Sequence, residues 1–195
     1  VGAGRPGTFE FDGTGTQTIT WNNSAFYCEP NNVVIGNTNN PTVTHAGSVV
    51  NDNILGSLTV NGSSVLNLGT RAWNGGTQNG NTGNAGTLTL NGTSKLQLAA
   101  NAGGQTGSNF PLRFPTLSIA ATSTVEYTGT VAQTVYDIAS PGYGHLTVTN
   151  NSTKSPTADL DIRGNLTINS TATFNAGALT HNLGGNFIND NVFTQ

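Results

Sequence analysis

The run Asp159-Leu160-Asp161-Ile162-Arg163 is the one local cluster of acidic and basic side chains in this chain. In an extended strand, Asp159, Asp161 and Arg163 share one face, and the two aliphatic side chains take the other. Paired carboxylates beside an arginine are groups with which enzymes that cleave polysaccharides do acid–base chemistry. The pattern also fits a solvent-facing strand with an ion pair to a neighbour, and we expect this second arrangement.

The spacing of the histidines and of the other carboxylates does not predict a metal site. The three histidines lie far apart and lack the short spacing of a metal site: His45, His145 and His181. Asp12 and Asp52 stand beside predicted turns, where turn formation explains them better than a weak Ca²⁺ site. We therefore predict no catalytic residue, no metal ion and no cofactor.

The tryptophans are candidate contacts for a sugar. Trp73 and Asn74 lie in 69–86, a stretch rich in Gly and Asn that predicts a loop projecting from the surface. An exposed indole ring can stack on a sugar ring, and Trp21 is a second such candidate. We predict Trp73 and Asn74 as ligand-binding residues, with plain anchoring of the loop as the alternative role of Trp73.

Pairs of threonines one residue apart are a further candidate surface. They are Thr16 with Thr18, Thr42 with Thr44, Thr87 with Thr89, and Thr147 with Thr149. Stacked on a flat sheet, such pairs can order ice-like water. The series is irregular and is interrupted by Asn and Leu, which disfavours ice binding without removing it as an alternative.

Short repeated strands must position all of these residues. Three copies of one unit read GSLTVNGSSVLNLG at 56–69, GTLTLNGTSKLQLA at 86–99 and GNLTINSTATFNAG at 164–177. Each begins with a strand of period two that has a leucine on its apolar face: Leu58, Leu88 or Leu166. One copy cannot bury that face alone, whereas stacked copies can. We therefore predict stacked β-coils with these three leucines one above another.

A larger unit occurs twice, over about 7–69 and 123–177, with inserted coils at 70–122. Glu10 and Glu126 occupy equivalent positions in it, which favours a structural role for both. The strands with the pattern x-Leu-Thr/Ser-apolar begin 30, 29, 29 and 20 residues apart, at Ser57, Thr87, Thr116, His145 and Asn165.

A coil of about this length holds three strands of about five residues and their turns. We predict that 1–195 is a single all-β segment. Its expected fold is a right-handed, three-sided parallel β-helix with loop insertions at the corners, chiefly at 69–86 and 101–109.

Composition excludes several classes of protein. Charged residues are 8% of the chain, the net charge is −3, and the six Lys and Arg residues are scattered, which disfavours nucleic-acid binding. No apolar run approaches the roughly 20 residues of a membrane span. Cys28 is the single cysteine, so no intrachain disulfide forms. No signal peptide is visible, and we expect the chain to be a processed product or a segment of a longer protein.

Several strings resemble the repeats of very large surface adhesins of gliding bacteria, which are exported by the type IX secretion route. They are VEYTGTVAQTV at 125–135, GHLTV at 144–148, GNLTIN at 164–169 and FNAGALTHNLGGNF at 174–187. The resemblance covers 115–195 well and 7–69 more loosely. It implies a parallel β-helix at the bacterial cell surface and an adhesive or filament-forming role. It implies no catalytic residues.

We therefore predict a non-enzymatic extracellular adhesin or filament segment, a stiff stalk that displays binding loops. The expected partners are a cell-surface or extracellular polymer or glycan, and further copies or flanking repeats joined end to end. Three alternatives stay open: a carbohydrate-binding β-helix, a polysaccharide-degrading β-helix, and an ice-binding protein.

Overall fold

The computed structural model describes residues 7–21, 30–47, 51–76 and 86–195. Within these residues the chain is all-β, contains no helix, and pairs all its strands in parallel. Parallel pairing of short strands without helical crossovers is typical of a β-helix-like solenoid. The predicted all-β, parallel architecture is confirmed.

The strands are short throughout. The first eleven are β1 Thr8–Phe11, β2 Thr16–Trp21, β3 Asn32–Ile35, β4 Thr42–Gly47, β5 Asn51–Ile54, β6 Leu58–Val60, β7 Val65–Asn67, β8 Ala72–Gly75, β9 Thr87–Leu90, β10 Lys95–Leu98 and β11 Thr116–Ile119. The others are β12 Thr124–Tyr127, β13 Gln133–Val135, β14 His145–Val148, β15 Thr153–Pro156, β16 Asp161–Ile162, β17 Leu166–Ile168, β18 Thr173–Asn175, β19 Asn182–Leu183, β20 Phe187–Asn189 and β21 Val192–Thr194.

Pairing joins these strands into five sheets. Sheet 1 has the order β1-β3-β6-β9-β11, and sheet 2 has the order β2-β4-β7-β10-β12-β14-β17-β20. Sheet 3 is β13-β15-β18-β21, sheet 4 is β16-β19, and sheet 5 is β5-β8. No two neighbours in these sheets are consecutive strands of the chain. Each strand therefore pairs with a strand of the next turn of the chain, which defines a stack of coils.

The residue pairs of sheet 2 give the number of residues in each coil. Thr16 pairs with Thr42, which is 26 residues later. The following steps are 23, 30, 29, 21, 20 and 21 residues, from the pairs Thr42–Val65, Val65–Lys95, Lys95–Thr124, Thr124–His145, Leu146–Leu166 and Leu166–Phe187. The two longest coils contain the stretches predicted as corner insertions, and the short coils consist of strands joined by tight turns.

Rows of apolar side chains run through the stack because strand residues alternate between inside and outside. In sheet 2, one inward row is Val43, Leu66, Leu96, Val125, Leu146 and Leu166, all 4% exposed or less. Burying an aliphatic side chain contributes about 1.5–3 kcal/mol. Each member of a row is covered by the coil above and the coil below, so the coils stabilise one another.

One predicted alignment is wrong. Leu58 pairs with Leu88 in sheet 1, as expected. Leu166 instead pairs with Leu146 and Phe187 in sheet 2. The reason is a change of face in the second unit, whose first strand, β12, extends sheet 2, whereas the first strand of the first unit lies in sheet 1.

The two related units nevertheless pair their strands in the same order. β3 lies between β1 and β6, and β14 lies between β12 and β17 in the same way. A local hydrogen bond also recurs: Gly13 N donates to Gln17 Oε1 at 2.9 Å, and Gly129 N donates to Gln133 Oε1 at 2.8 Å. The similar sequences of the two units therefore encode similar turns and similar pairing.

The Asn-Gly turns of consecutive coils stack closely. Gly62 and Gly92 have φ values of +61° and +62°, which achiral glycine adopts readily and L-residues other than Asn and Asp rarely adopt. A Cβ on Gly92 would lie 2.8 Å from the carbonyl oxygen of Gly62. Both the backbone conformation and the close approach of the coils therefore require glycine at position 92.

Candidate functional site

The strand of Asp159, Asp161 and Arg163 has the alternation that the sequence predicts. Leu160 and Ile162 are buried at 1% exposure, as the alternation predicts, while Asp159 and Asp161 face outward. Asp159 Oδ1 accepts a hydrogen bond from Thr180 N at 2.9 Å. Arg163 turns to backbone carbonyls, with Nε 3.3 Å from Tyr143 O and Nη2 bonded to Ile119 O.

Within 86–195, which the structure describes without a gap, none of Asp159, Asp161 and Arg163 forms an ion pair, so the expected ion pair to a neighbour is wrong. The two aspartates face solvent as expected. Asp159 and Asp161 are exposed, whereas Arg163 is half-buried against backbone carbonyls. Arg163 thus links neighbouring coils through their backbone.

Two of the histidines bond to the backbone of neighbouring coils. His145 Nδ1 accepts from Asn165 N at 2.9 Å, and His181 Nδ1 accepts from Leu160 N at 3.0 Å. Among the described residues, no three His, Cys, Asp or Glu side chains lie close enough together to hold a metal ion. Cys28 lies outside the described residues.

Asp12 has the predicted turn role, although the turn belongs to the next coil. Its Oδ1 accepts hydrogen bonds from the backbone N–H groups of Asn37, Thr38 and Asn39 at 2.8, 2.9 and 2.7 Å. These bonds, that from Asn37 first, lower the pKa of Asp12. The carboxylate thus joins two coils at an exposed corner. Asp52 has no such role, because it lies buried in β5.

Trp73 is not a loop residue. It lies in β8, within the stretch predicted to project as a loop, and its side chain is fully buried. Asn74 is 3% exposed; its Nδ2 donates to Gly103 O at 2.8 Å and its Oδ1 accepts from Leu112 N at 3.1 Å. The prediction that these two side chains stand at the surface is wrong, and neither offers a face to a sugar. The side chain of Trp21 lies outside the described part of the chain.

β8 pairs with β5. This pairing places the Trp73 side chain beside a buried polar group. Trp73 Nε1 donates to His45 Nδ1 at 3.1 Å. His45 Nε2 lies 3.3 Å from Asp52 Oδ2. Arg71 flanks this group, and its Nη2 donates to Gly47 O. Sequence analysis missed the group, because its members are spread over 45–73 and only strand pairing brings them together.

The electrostatics of this group favour uncharged forms. Burial, and secondarily the positive charge of Arg71, lower the pKa of His45 to about 4. Burial raises the pKa of Asp52 to about 7, although Arg71 opposes the rise. The Trp73 donor requires an unprotonated Nδ1 and so places the histidine proton on Nε2, facing Asp52. The contacts of this group join β4, β5 and β8, so it contributes to holding the coils together.

The outer face of sheet 1 is a regular polar surface. Nine Ser and Thr residues in three columns form what we call the hydroxyl face: Ser57, Thr87 and Thr116; Thr59, Thr89 and Ser118; Ser63, Thr93 and Thr122. In the middle column, Thr59 pairs with Thr89 and Thr89 pairs with Ser118.

The third column lies on the stacked turns. Thr93 Oγ1 lies 3.0 Å from Ser63 Oγ, and Thr122 Oγ1 donates to Gly92 O at 2.5 Å. Sequence analysis missed this surface because it compared threonine pairs from different sheets: Thr42 and Thr147 lie in sheet 2, whereas Thr87 lies in sheet 1. Accepting Ser at the same positions would have revealed three consecutive coils.

No helix among the described residues is long and apolar enough to cross a membrane. Comparisons of the chain with protein families, with curated proteins and with solved structures find no match.

Proposed function

We propose that this chain is a non-enzymatic segment of an extracellular bacterial adhesin or surface filament, a right-handed, three-sided β-helix that acts as a stiff stalk. The observation that carries the proposal is the uninterrupted pairing of eight strands in sheet 2. Seven steps of about 4.8 Å give a rod section about 34 Å long. The resemblance to type IX-secreted adhesin repeats supports the location at the cell surface.

Stiffness follows from the way the coils are joined. Each coil pairs with its neighbours by backbone hydrogen bonds and by inward apolar rows, so bending would break many contacts at once. Polar side chains add links at the corners, such as Asn91 Nδ2 to Asn61 Oδ1 at 2.8 Å. In this role the corner loops contact a cell-surface or extracellular polymer or glycan, and further copies or flanking repeats extend the rod end to end.

The proposed location at the cell surface is tested on the bacterium that produces the chain. Antibodies against residues 86–195 should label intact cells, and an external protease should remove the label. Deletion of the segment should reduce attachment to a glycan-coated surface. Labelling that needs permeabilised cells would contradict the proposal.

The polysaccharide-degrading alternative has its own test. The purified chain and a variant with Asp159→Asn and Asp161→Asn are incubated with soluble polysaccharides, and the release of reducing ends is measured. We expect no release from either protein. Cleavage by the wild type but not by the double variant would show that the chain is an enzyme, which contradicts the stalk proposal.

A further inference from the structure

We propose that the hydroxyl face of sheet 1 binds ice. This function goes beyond the stalk role and does not depend on it, because the face is a local property of three neighbouring coils. The face is defined by its nine Ser and Thr side chains, which lie on β9 and β11, in and immediately before β6, and on the turns that follow these three strands.

The geometry of the face is that of a two-dimensional lattice. Parallel strands lie about 4.8 Å apart, and alternate residues of one strand lie about 6.6 Å apart. The register from Leu58 to Leu88 to Leu117 contains no bulge, so each column is straight over the three coils. In the first two columns, at the strands, hydroxyl-bearing residues therefore repeat along two directions, about 4.8 and 6.6 Å apart, and the third column adds hydroxyls on the stacked turns. Water bound to one hydroxyl can then bond to water bound to the next.

The chemistry of the face suits water more than a charged or aromatic-binding ligand. The segments that form it, 57–63, 87–93 and 116–122, contain no charged residue and no aromatic residue. A charged side chain would orient water around itself and break the lattice. Sugar rings are commonly held by aromatic side chains, which these segments lack. Ice is therefore favoured over a glycan as the occupant.

The face is also held rigid before any ligand arrives. Asn91 Nδ2 donates to Asn61 Oδ1 at 2.8 Å, and the hydroxyls of Thr93 and Ser63 lie 3.0 Å apart. The inward leucines between the outward residues are fully buried at Leu58 and Leu88. A surface that is already ordered loses little conformational entropy when it binds a solid.

The neighbouring surfaces set the limits of the site. Toward β3, Val34 occupies the outward position beside Thr59, so the middle column changes from hydroxyl to alkyl there. On sheet 2, the position beside Thr44 is Asn67, and Asn67 is followed by Gln97 and Glu126. Glu126 of that row forms an ion pair with Lys95, whose side chain is 37% exposed, with Lys95 Nζ 3.0 Å from Glu126 Oε2. The row is therefore not a uniform hydroxyl array.

Thermal hysteresis and partition into a slowly growing ice front test the proposal on the 195-residue chain. We expect the wild type to show both, and Thr89→Tyr, at the centre of the face, to lose both. Ser118→Tyr, on exposed β11, is the second variant in case Thr89→Tyr does not fold, and folding is checked by circular dichroism. Thr167→Tyr, an outward position of sheet 2 beside Thr147, is the matched control and should retain both activities.

Three results would overturn the proposal. They are a wild type that neither shows hysteresis nor enters ice, folded face variants with undiminished activity, and an equal loss in Thr167→Tyr. Binding of the wild type to an insoluble neutral polysaccharide without any affinity for ice would assign the face to a glycan instead. The cell-labelling experiment on the stalk is unaffected by any of these results.

Discussion

Trp73 donates its indole N–H to Nδ1 of His45 over 3.1 Å, although 28 residues separate the two positions in the chain. The bond joins β8 to β4, which belong to different sheets of neighbouring coils. Because His45 also faces Asp52, one buried polar group ties together three strands, β4, β5 and β8. A tryptophan that looks like a surface ligand contact in the sequence is thus part of the core.

Burial of Trp73 predicts its fluorescence. In a Trp21→Phe variant, Trp73 is the one remaining tryptophan, because the chain has two. We expect a blue-shifted emission and weak quenching by iodide, since the side chain has 0% exposure. Addition of soluble glycans should leave the spectrum unchanged. Emission like that of free tryptophan with strong quenching in the folded variant would show that the ring is at the surface.

His45 and Asp52 predict an unusual dependence of stability on pH. Between about pH 4 and 6.5 the unfolded pair is charged on both groups and the folded pair is neutral on both, so the two states hold the same number of protons. The folded pKa of His45 is below its unfolded value, which alone would lower stability as pH falls below 6.5. The folded pKa of Asp52 is above its unfolded value, which alone would lower stability as pH rises from 3.8 toward 7.

The Asp52→Asn variant should therefore show the contribution of His45 alone to the pH dependence of stability. We expect its free energy of unfolding to fall by up to about 3 kcal/mol between pH 7 and pH 4 relative to the wild type, because the unfolded histidine takes up a proton that the folded one refuses. Urea unfolding at pH 4.5 and 7 measures the difference. Exposed Asp159→Asn is the control and should follow the wild type. A parallel pH profile for Asp52→Asn and the wild type would contradict the neutral pair.

Lys154 predicts a rise in stability under mildly alkaline conditions. Its side chain is buried; Nζ donates to Gly129 O at 2.8 Å and bonds to Ser152 Oγ. Burial lowers its pKa to about 8, so between pH 8 and 9.5 the unfolded state holds more protons than the folded state. Stability contributed by this group should rise over that window by up to about 1–2 kcal/mol. Lys154→Met should remove the rise, as urea unfolding at pH 8 and 9.5 can show, and an identical slope in the variant would refute the assignment.

Substitution of Gly92 tests how much the stacked turns contribute to the free energy of unfolding. Gly92→Ala forces an L-residue to a φ of +62° and places its Cβ 2.8 Å from Gly62 O. We expect a loss of at least about 1–2 kcal/mol in the free energy of unfolding. Gly15→Ala is the matched control, because nothing lies within 4 Å of its Cβ, and it should change stability by less than about 0.5 kcal/mol. Equal melting temperatures for the two variants would show that the turns do not stack as described.

The strand pattern was predictable because it is local. Alternation in Leu58–Val60 or Leu166–Ile168 depends on which neighbouring residues are apolar, and the structure buries Leu58, Val60, Leu166 and Ile168 as the pattern requires. The need for stacking was also predictable, since a short strand with one apolar face cannot bury it alone. These properties led directly from the sequence to an all-β chain of parallel coils.

Only the tertiary structure decided which coils lie above which. Leu166 has the same local sequence context as Leu58 but lies in sheet 2, because the second unit begins one face further on. The same long-range pairing buries Trp73 beside His45 and brings Thr59, Thr89 and Ser118 into one column. Period-two patterns specify which side of a strand faces inward, but they contain no information about which sheet the strand joins. That choice depends on the number of residues in each intervening turn and on contacts between residues 20 to 30 positions apart.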